Sequence, residues 1–530
     1  MSRKSYIKKI ICGILLCIST NYISAQNFAV SGYLIDADTK ETLIGATVYL
    51  SDKGTGVITD RYGYFQLAGI PKGEHLLRLS YVGYETLEIK IEIKDKGIAL
   101  PDIEMKPQSV NIEEVTIAAS SISKAADRQI ETSMIELTPQ MIQSIPTARN
   151  DVFSAIKFLP GIDRTEPFSP LFTVRGGDPG ENAVLLDGVM IYNPYHSSMS
   201  SGIFNTQTIK SVDMLVGGFG AEFGGRNSSV MYISTKDGDR SGLHGEIEPS
   251  TFHSKAFFEF PVGDKGSAVI AGRYFFDIVP YFIMHTKSYF YDYNFSYTCR
   301  LNPRHRLTGK YFQAHDRNVI DMNTFYQYID NTIGWNMYED FSFIMTDKWT
   351  NRAATLIHNW SLSPAVFIRS QIYYSSHSSR NISNFDYRLP EVIDGDSTFT
   401  NIHLMTSSEF KNRISDLSIK TRINYSLARF NTLTAGVEYN DYSFRNSAVI
   451  NLTSQGQLKH KPCQWSIFAE NKLEIGPLKL RPGVRSVNYD NKEWLHEPRV
   501  NLVLTLPDEF KLRSAWGLYH QYVISMNTNE

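Results

Sequence analysis

Leu417-Ser418-Ile419-Lys420-Thr421-Arg422-Ile423-Asn424-Tyr425-Ser426-Leu427 alternates without a break. Leu417, Ile419, Thr421, Ile423, Tyr425 and Leu427 fall on one face, and Ser418, Lys420, Arg422, Asn424 and Ser426 on the other. Successive side chains of an extended chain point to opposite sides, so this stretch reads as a strand that is dry on one face and wet on the other. Leu433, Ala435, Val437 and Tyr439 repeat the pattern against Thr434, Gly436, Glu438 and Asn440, after a short turn at Ala428–Asn431. A second hairpin joins Val500, Leu502, Leu504 and Leu506 to Phe510 and Leu512 through Pro507-Asp508-Glu509. A soluble sandwich has the same period, so alternation alone sets the element and not the architecture.

Connection lengths separate the two architectures. Tight turns recur near Gly263–Ser267, Asn302–Arg306, Ser363–Ala365, Ala428–Asn431, Gly476–Pro477 and Pro507–Glu509, and longer polar connections lie near 316–340, 378–410 and 446–460. Short turns at one end and long loops at the other is how outer-membrane barrels are built. Residues 241–530 hold 46 of the 66 Phe, Trp and Tyr residues, which suits a surface with aromatic girdles at lipid headgroups. No internal apolar run reaches the ~18 residues a spanning helix needs, so entry into a membrane would have to be as a closed barrel.

The chain has 530 residues, more than one ordinary core. With 53 basic and 55 acidic residues it lacks the basic excess of a nucleic-acid surface, and no nucleic-acid partner is expected. Residues 1–25 read as a signal peptide: Arg3, Lys4, Lys8 and Lys9, a short apolar core from Ile10 to Ile18, then Ser24-Ala25 before Gln26. Leu15-Leu16 ahead of Cys17 lacks the small residue that lipoprotein processing wants. Cys299 and Cys463 remain in the mature chain, too few for a disulfide framework, and no Cys/His spacing marks a metal site.

Residues 27–107 carry short strand signals with glycine turns: Val30–Asp36, Leu43–Leu50, Val57–Asp60, Tyr62–Phe65 and Leu79–Tyr84. They resemble the carboxypeptidase-regulatory-like domain, which implies an Ig-like sandwich of about seven strands serving as a binding or spacer module. Residues 108–130 read as a linker. Its segment Glu113-Glu114-Val115-Thr116-Ile117 resembles a TonB box, an extended stretch that adds to a partner's sheet edge.

Residues 131–238 are the most specific part. Thr147–Leu159 reads as a helix that stops at Pro160-Gly161. Phe172-Thr173-Val174-Arg175-Gly176-Gly177, Val184–Val189, Ile209–Met214, Val216–Gly225 and Val230–Lys236 follow. In order and spacing they resemble the TonB-dependent receptor plug. Asp187-Gly188 reads as a tight hairpin turn, because both residues tolerate positive φ. Gly217, Gly218, Gly224 and Gly225 let backbone pass close to backbone, and Arg175 beside Gly176-Gly177 is placed to meet a carboxylate such as Glu222. These residues are assigned to plug architecture and gating, not to a ligand site. Tyr195-His196 reads as a solvated turn, His496-Glu497 as a loop or strand end, and Tyr326, Tyr328 and Trp335 as membrane-interface aromatics.

Residues 239–530 resemble the opening part of that family's barrel, from Gly242–Ile247, Phe257–Gly263 and Ala271–Tyr274 onward. Turn counting gives about thirteen strands where complete plugged transporters have about 22, and the terminal aromatic strand is not found, so an incomplete gene product or a truncated sequence is expected. The expected fold is mainly β: signal peptide, sandwich, α+β plug and partial antiparallel transmembrane barrel. The resemblance implies an outer-membrane receptor of a Gram-negative bacterium with its N-terminal domain in the periplasm. It would take up a siderophore, cobalamin, peptide or glycan through TonB and its ExbB-ExbD motor, in contact with outer-membrane lipid. A binding or adhesion protein without transport, or a non-functional remnant, is the alternative. No catalytic constellation or cofactor motif is found.

Overall fold

The computed structural model describes residues 28–108, 133–145, 151–164, 171–196, 202–250, 253–276, 288–323, 341–393, 396–451, 453–507 and 510–523. The signal segment, the box-like residues Glu113–Ile117, and Tyr326, Tyr328 and Trp335 lie outside them.

The N-terminal domain is two four-stranded sheets face to face. Phe28–Asp36 pairs with Tyr64–Ile70 antiparallel, and with Ile98–Ala99 and Ile103–Met105 parallel; the second sheet runs Thr55–Ile58, Thr47–Leu50, Gly73–Ser80, Leu87–Ile93. Val30, Leu34, Val48, Leu50, Phe65, Leu77, Leu79 and Ile93 fill the space between them. Here alternation points apolar residues inward, as water on the outside demands.

The plug holds a five-stranded mixed sheet in the order Val189–Met190, Asn182–Leu186, Ser229–Thr235, Ile209–Leu215, Met134–Leu137. The expected helix from Thr147 is shorter: it runs Val152–Ile156, with Asp151 capping it by accepting from the Ser154 backbone N–H at 3.1 Å, and residues 147–150 lie outside the described set. A second short helix, Pro139–Ser144, capped by Thr138, has no counterpart in the sequence reading. Phe153, Phe172, Phe204, Val212, Met231 and Ile233 pack the plug's core.

Fourteen strands form the third unit, one antiparallel sheet from His244–Pro249 to Lys511–Gly517 among the described residues. Turns fall at 262–266, 302–305, 363–366, 428–431 and 475–478, where the sequence places them. The connections expected at 378–410 and 446–460 are instead continued pairing. Val366–Ile393 and Asp396–Ala428 run 28 and 33 residues and pair as far as Ile393–Asp396, with one register shift between Arg388 and Pro390, and Asn431–Ile450 folds back on Thr453–His460. A spanning strand needs only ~9–11 residues, so these polar hairpins run well past the length that crossing a bilayer would take.

The opening run now decides the architecture. Leu417 and Ile419 are 50% and 51% exposed, whereas Ser418 is 0% exposed and Arg422 and Ser426 are buried. Apolar residues face out and polar residues face in, the reverse of a soluble sandwich. Such a surface is stable against hydrocarbon. No helix among the described residues is long and apolar enough to cross a membrane, and the two cysteines on this sheet, Cys299 and Cys463, are free thiols.

Candidate functional site

The sheet is a partial barrel, as expected, with its first and last strands not paired to each other among the described residues; its polar inner face packs on the plug, and their seam is the candidate site. Two turns shape the plug's side of it. Arg175 and Gly176 have φ of 51° and 77°, and Asp187 and Gly188 have φ of 52° and 92°. Positive φ at both central positions defines a tight hairpin-type turn, and glycine is the residue that adopts it without steric cost. The second turn docks on the wall. Asp187 accepts from Lys310 Nζ at 2.9 Å and from the Thr235 hydroxyl at 2.7 Å, while Gln371 donates to the Asp187 carbonyl at 3.1 Å. Lys310 and Gln371 come from wall strands His305–Asp321 and Val366–Ile393.

The glycine-rich stretch 217–225 lies against a row of charged wall residues. Arg499 donates to the Gly220 and Phe223 carbonyls at 2.7 and 2.6 Å, Asn501 to the Gly218 carbonyl at 2.6 Å, and Arg485 to the Glu222 carbonyl at 3.1 Å. Glu470 accepts from the Ala221 N–H at 2.8 Å. A Cβ on Gly224 would stand 2.4 Å from Arg485 Nε, and one on Gly220 2.5 Å from Glu470 Oε2. The glycines are therefore what let wall side chains reach the plug backbone. Carboxylates hold these cations in turn: Arg499 meets Glu497 at 2.5 Å and Arg485 meets Glu438 at 2.9 Å.

Arg175 does not reach Glu222. It donates to Ser133 Oγ at 3.0 Å on the exposed side of the plug. Glu222 pairs with the wall instead, with Arg422 at 2.8 Å and Lys420 at 3.5 Å. Burial alone raises the Glu222 carboxyl, but Arg422, Lys420 and Arg61 outweigh it and hold it well below the usual carboxylate range. Asp237 behaves alike: burial is outweighed by Arg306, Lys210 and Lys310.

One further reading is corrected, and a second is located. His196 is not solvated but 0% exposed, stacked on Phe290 at 3.6 Å between ring centroids. Its Nδ1 lies 2.9 Å from Asp316, and Arg273 contacts its Nε2 at 3.1 Å and Asp292 at 2.6 Å. The Asn193-Pro194 bend carries this ring into the wall. His496-Glu497 lies within the strand Trp494–Thr505, and Glu497 is buried, bonded to Arg499 and His520. The sequence-assigned residues Asp187, Gly188, Gly218, Gly224 and Gly225 belong to the plug side of the contact; Arg175, Gly176, Gly177 and Gly217, which lies beside Arg175, sit apart from its charged wall. Sequence reasoning misses the wall partners as site residues, although Lys420 and Arg422 stand on the polar face of the opening run.

A plug packed on the polar face of a sheet whose apolar face looks outward is the architecture of a plugged outer-membrane β-barrel, here in part. Family models match in the same order: CarboxypepD_reg-like domain over 30–117, TonB-dependent Receptor Plug Domain over 126–230, and TonB dependent receptor-like β-barrel over 281–520. The chain belongs to the TonB-dependent receptor family. The first match takes in the box-like residues 113–117. The chain is 28% identical over 243 residues to the TonB-dependent receptor SusC of Bacteroides thetaiotaomicron, covering 43% of this chain and 23% of that protein. Its fold is similar to that of the siderophore receptor PirA from Acinetobacter baumannii (16% identity, TM-score 0.52, 75% of this chain and 62% of that one). It is also similar to the outer membrane transporter YddB from Escherichia coli (12% identity, TM-score 0.54, 74% and 61%). The aligned part is thus less than a quarter of the curated relative's length, and about three fifths of these solved chains.

Proposed function

We propose that the chain serves energised uptake of a scarce nutrient across the outer membrane of a Gram-negative bacterium. The end of the sheet with the short turns, and the sandwich with it, faces the periplasm. Cargo binds from the opposite end. TonB, driven by its ExbB-ExbD motor, takes the segment Glu113–Ile117 onto its own sheet edge and pulls. Arg175, Gly176, Gly177, Asp187, Gly188 and the glycines of 217–225 shape the plug and its gating, and none is assigned to cargo. Siderophore, cobalamin, peptide and glycan are the candidate cargo classes; the similarity to SusC and to a siderophore receptor favours none of the four.

One observation carries this reading: the glycine-rich stretch of the plug meets the wall through charged side chains bonded to loop carbonyls, while the plug's interior is apolar and meets the wall at Phe312, Ala314, Ala353 and Tyr373. Water entering the lumen can take over the first kind of contact, so the glycine-rich stretch can shift without loss of the plug's core. Val115→Pro with Ile117→Pro tests it. Proline removes the backbone donors an added strand needs. Capture by TonB and uptake should both be lost while cargo binding at the cell surface stays. Uptake that persists in this variant overturns the reading.

A further inference from the structure

The N-terminal sandwich does not hang free of the barrel. The turn Asp60-Arg61-Tyr62, between strands Thr55–Ile58 and Tyr64–Ile70, enters the short-turn end of the barrel lumen. The Arg61 guanidinium lies over the rings of the plug residues Tyr232 and Phe223, at 4.3 and 5.4 Å. The Tyr62 ring lies beneath Arg369 and Arg422 of the wall, at 3.9 and 5.4 Å. Arg422 is the residue that also holds Glu222 of the plug. One sandwich turn thus touches plug and wall together, at the point where they meet.

The rest of the contact is a ring around that turn. Tyr64 stacks on Phe367 at 4.5 Å, and Gln66 donates to the Pro364 carbonyl at 3.3 Å. Thr42 and Lys210 share Asp237, at 3.0 and 3.2 Å, and Glu41 accepts from the Asp237 N–H at 2.8 Å. Asp102 pairs with Arg300 and Arg240. Acidic groups of the sandwich therefore meet cations of the plug and wall, and one small apolar cluster, Tyr33, Ile35, Tyr64 and Phe367, crosses the contact. The sandwich keeps its own complete core. A polar contact between two units with separate cores can open and reclose without either unit unfolding.

We propose that the sandwich is a periplasmic stopper, with the turn Asp60-Arg61-Tyr62 clamping the plug in its closed seating and withdrawing before the plug moves. This rests on the transport reading above for its role, though not for the clamp itself. Chain order fits: the box-like segment lies between sandwich and plug, so a pull on it loads both.

Two measurements on the full chain in its membrane test it. In Arg61→Ala with Tyr62→Ala, hydrogen exchange in the plug strand Ser229–Thr235 should quicken about tenfold as the ring–cation contacts are lost, with exchange in the sandwich strand Gly73–Ser80 unchanged. Unchanged exchange in the plug overturns the clamp, whatever the chain transports. For the second, Gln66→Cys and Pro364→Cys are joined by a short reducible bis-thiosulfonate, in a chain with Cys299→Ser and Cys463→Ser. Linked cells should bind cargo but lose uptake by about tenfold or more, and reductant should restore it. Equal uptake in linked and reduced cells overturns the stopper. No uptake in either form, with plug exchange quickened as expected, supports the clamp and counts against transport.

Discussion

The plug meets two kinds of surroundings, and they differ in what water can replace. Inside, Phe153 is fully buried among Phe172, Tyr195 and Phe204, with centroids 4.8–6.0 Å apart. Outside, the same domain meets the wall through Arg499, Arg485, Asn501, Lys310 and Gln371, and through one apolar patch where Phe312, Ala314, Ala353 and Tyr373 join the plug's core. Apolar burial has no substitute in a wet lumen, while a hydrogen bond to a carbonyl has one. The difference marks the charged part of the seam as the contact that water can replace.

The largest break in that contrast comes from the core. Phe153→Ala should destabilise the plug by about 3–5 kcal/mol, since the neighbouring rings cannot close the void. Denaturant titration followed by protease sensitivity of the plug checks it, and a plug that stays folded with wild-type resistance would contradict the core's role. Arg499→Ala acts at the seam. It removes two charged bonds to the Gly220 and Phe223 carbonyls and leaves Glu497 buried beside His520 alone. A cost of about 1.5–3 kcal/mol is expected, felt as looser seating with the core's exchange protection kept. Gly224→Ala tests the same seam from the plug side. The new methyl would meet Arg485 at 2.4 Å, and the guanidinium can yield only by giving up its bond to the Glu222 carbonyl, so about 1–2 kcal/mol is expected. Cysteine accessibility at Ala221, measured as Ala221→Cys, should rise in both seam variants and not in a surface control.

Much of this architecture is legible in the amino-acid sequence. Alternation in 417–427 marks the strand, the turns mark the asymmetry of the sheet, and Asp187-Gly188 marks the hairpin, with both φ positive as expected. What alternation lacks is a direction: it says that two faces differ, not which one meets lipid. The burial of Ser418 beside the exposed Leu417 supplies that. Partners are illegible for a different reason. Glu222 and Arg422 lie 200 positions apart, and Gly220 and Arg499 lie 279 apart, so their meeting is set by tertiary packing of the plug on the sheet. Local patterns offer Arg175 a carboxylate that tertiary packing assigns to the wall. Burial of His196 likewise depends on four elements converging, while its own neighbours, Asn193, Pro194 and Tyr195, read as an exposed turn. The long polar hairpins read as loops because their polar residues hide strand pairing.

The smallest expected effect separates the two ends of the seam by pH. Near the short turns, Glu222 is buried, yet the charges of Arg422, Lys420 and Arg61 depress its folded-state value below the ordinary 4.5. A depressed carboxylate contributes stability that is complete above its unfolded value; here that contribution declines below pH 4.5 and is gone only once pH falls through the folded value. At the opposite end, burial lowers His196, but Asp316 and Asp292 outweigh both burial and Arg273 and raise it above the ordinary 6.5. A raised histidine contributes stability that is complete below pH 6.5 and is lost as pH rises through the folded value. Phe290 faces the ring and adds no charge. Between pH 6 and pH 9, hydrogen exchange corrected for its intrinsic pH dependence should therefore quicken at Tyr195–His196 and hold steady at Ala221–Gly224. His196→Gln, which keeps a polar group without the titration, should flatten the first profile. Quickening at both ends together would mean that the seam has one common response to pH, and that its two ends cannot be loosened separately.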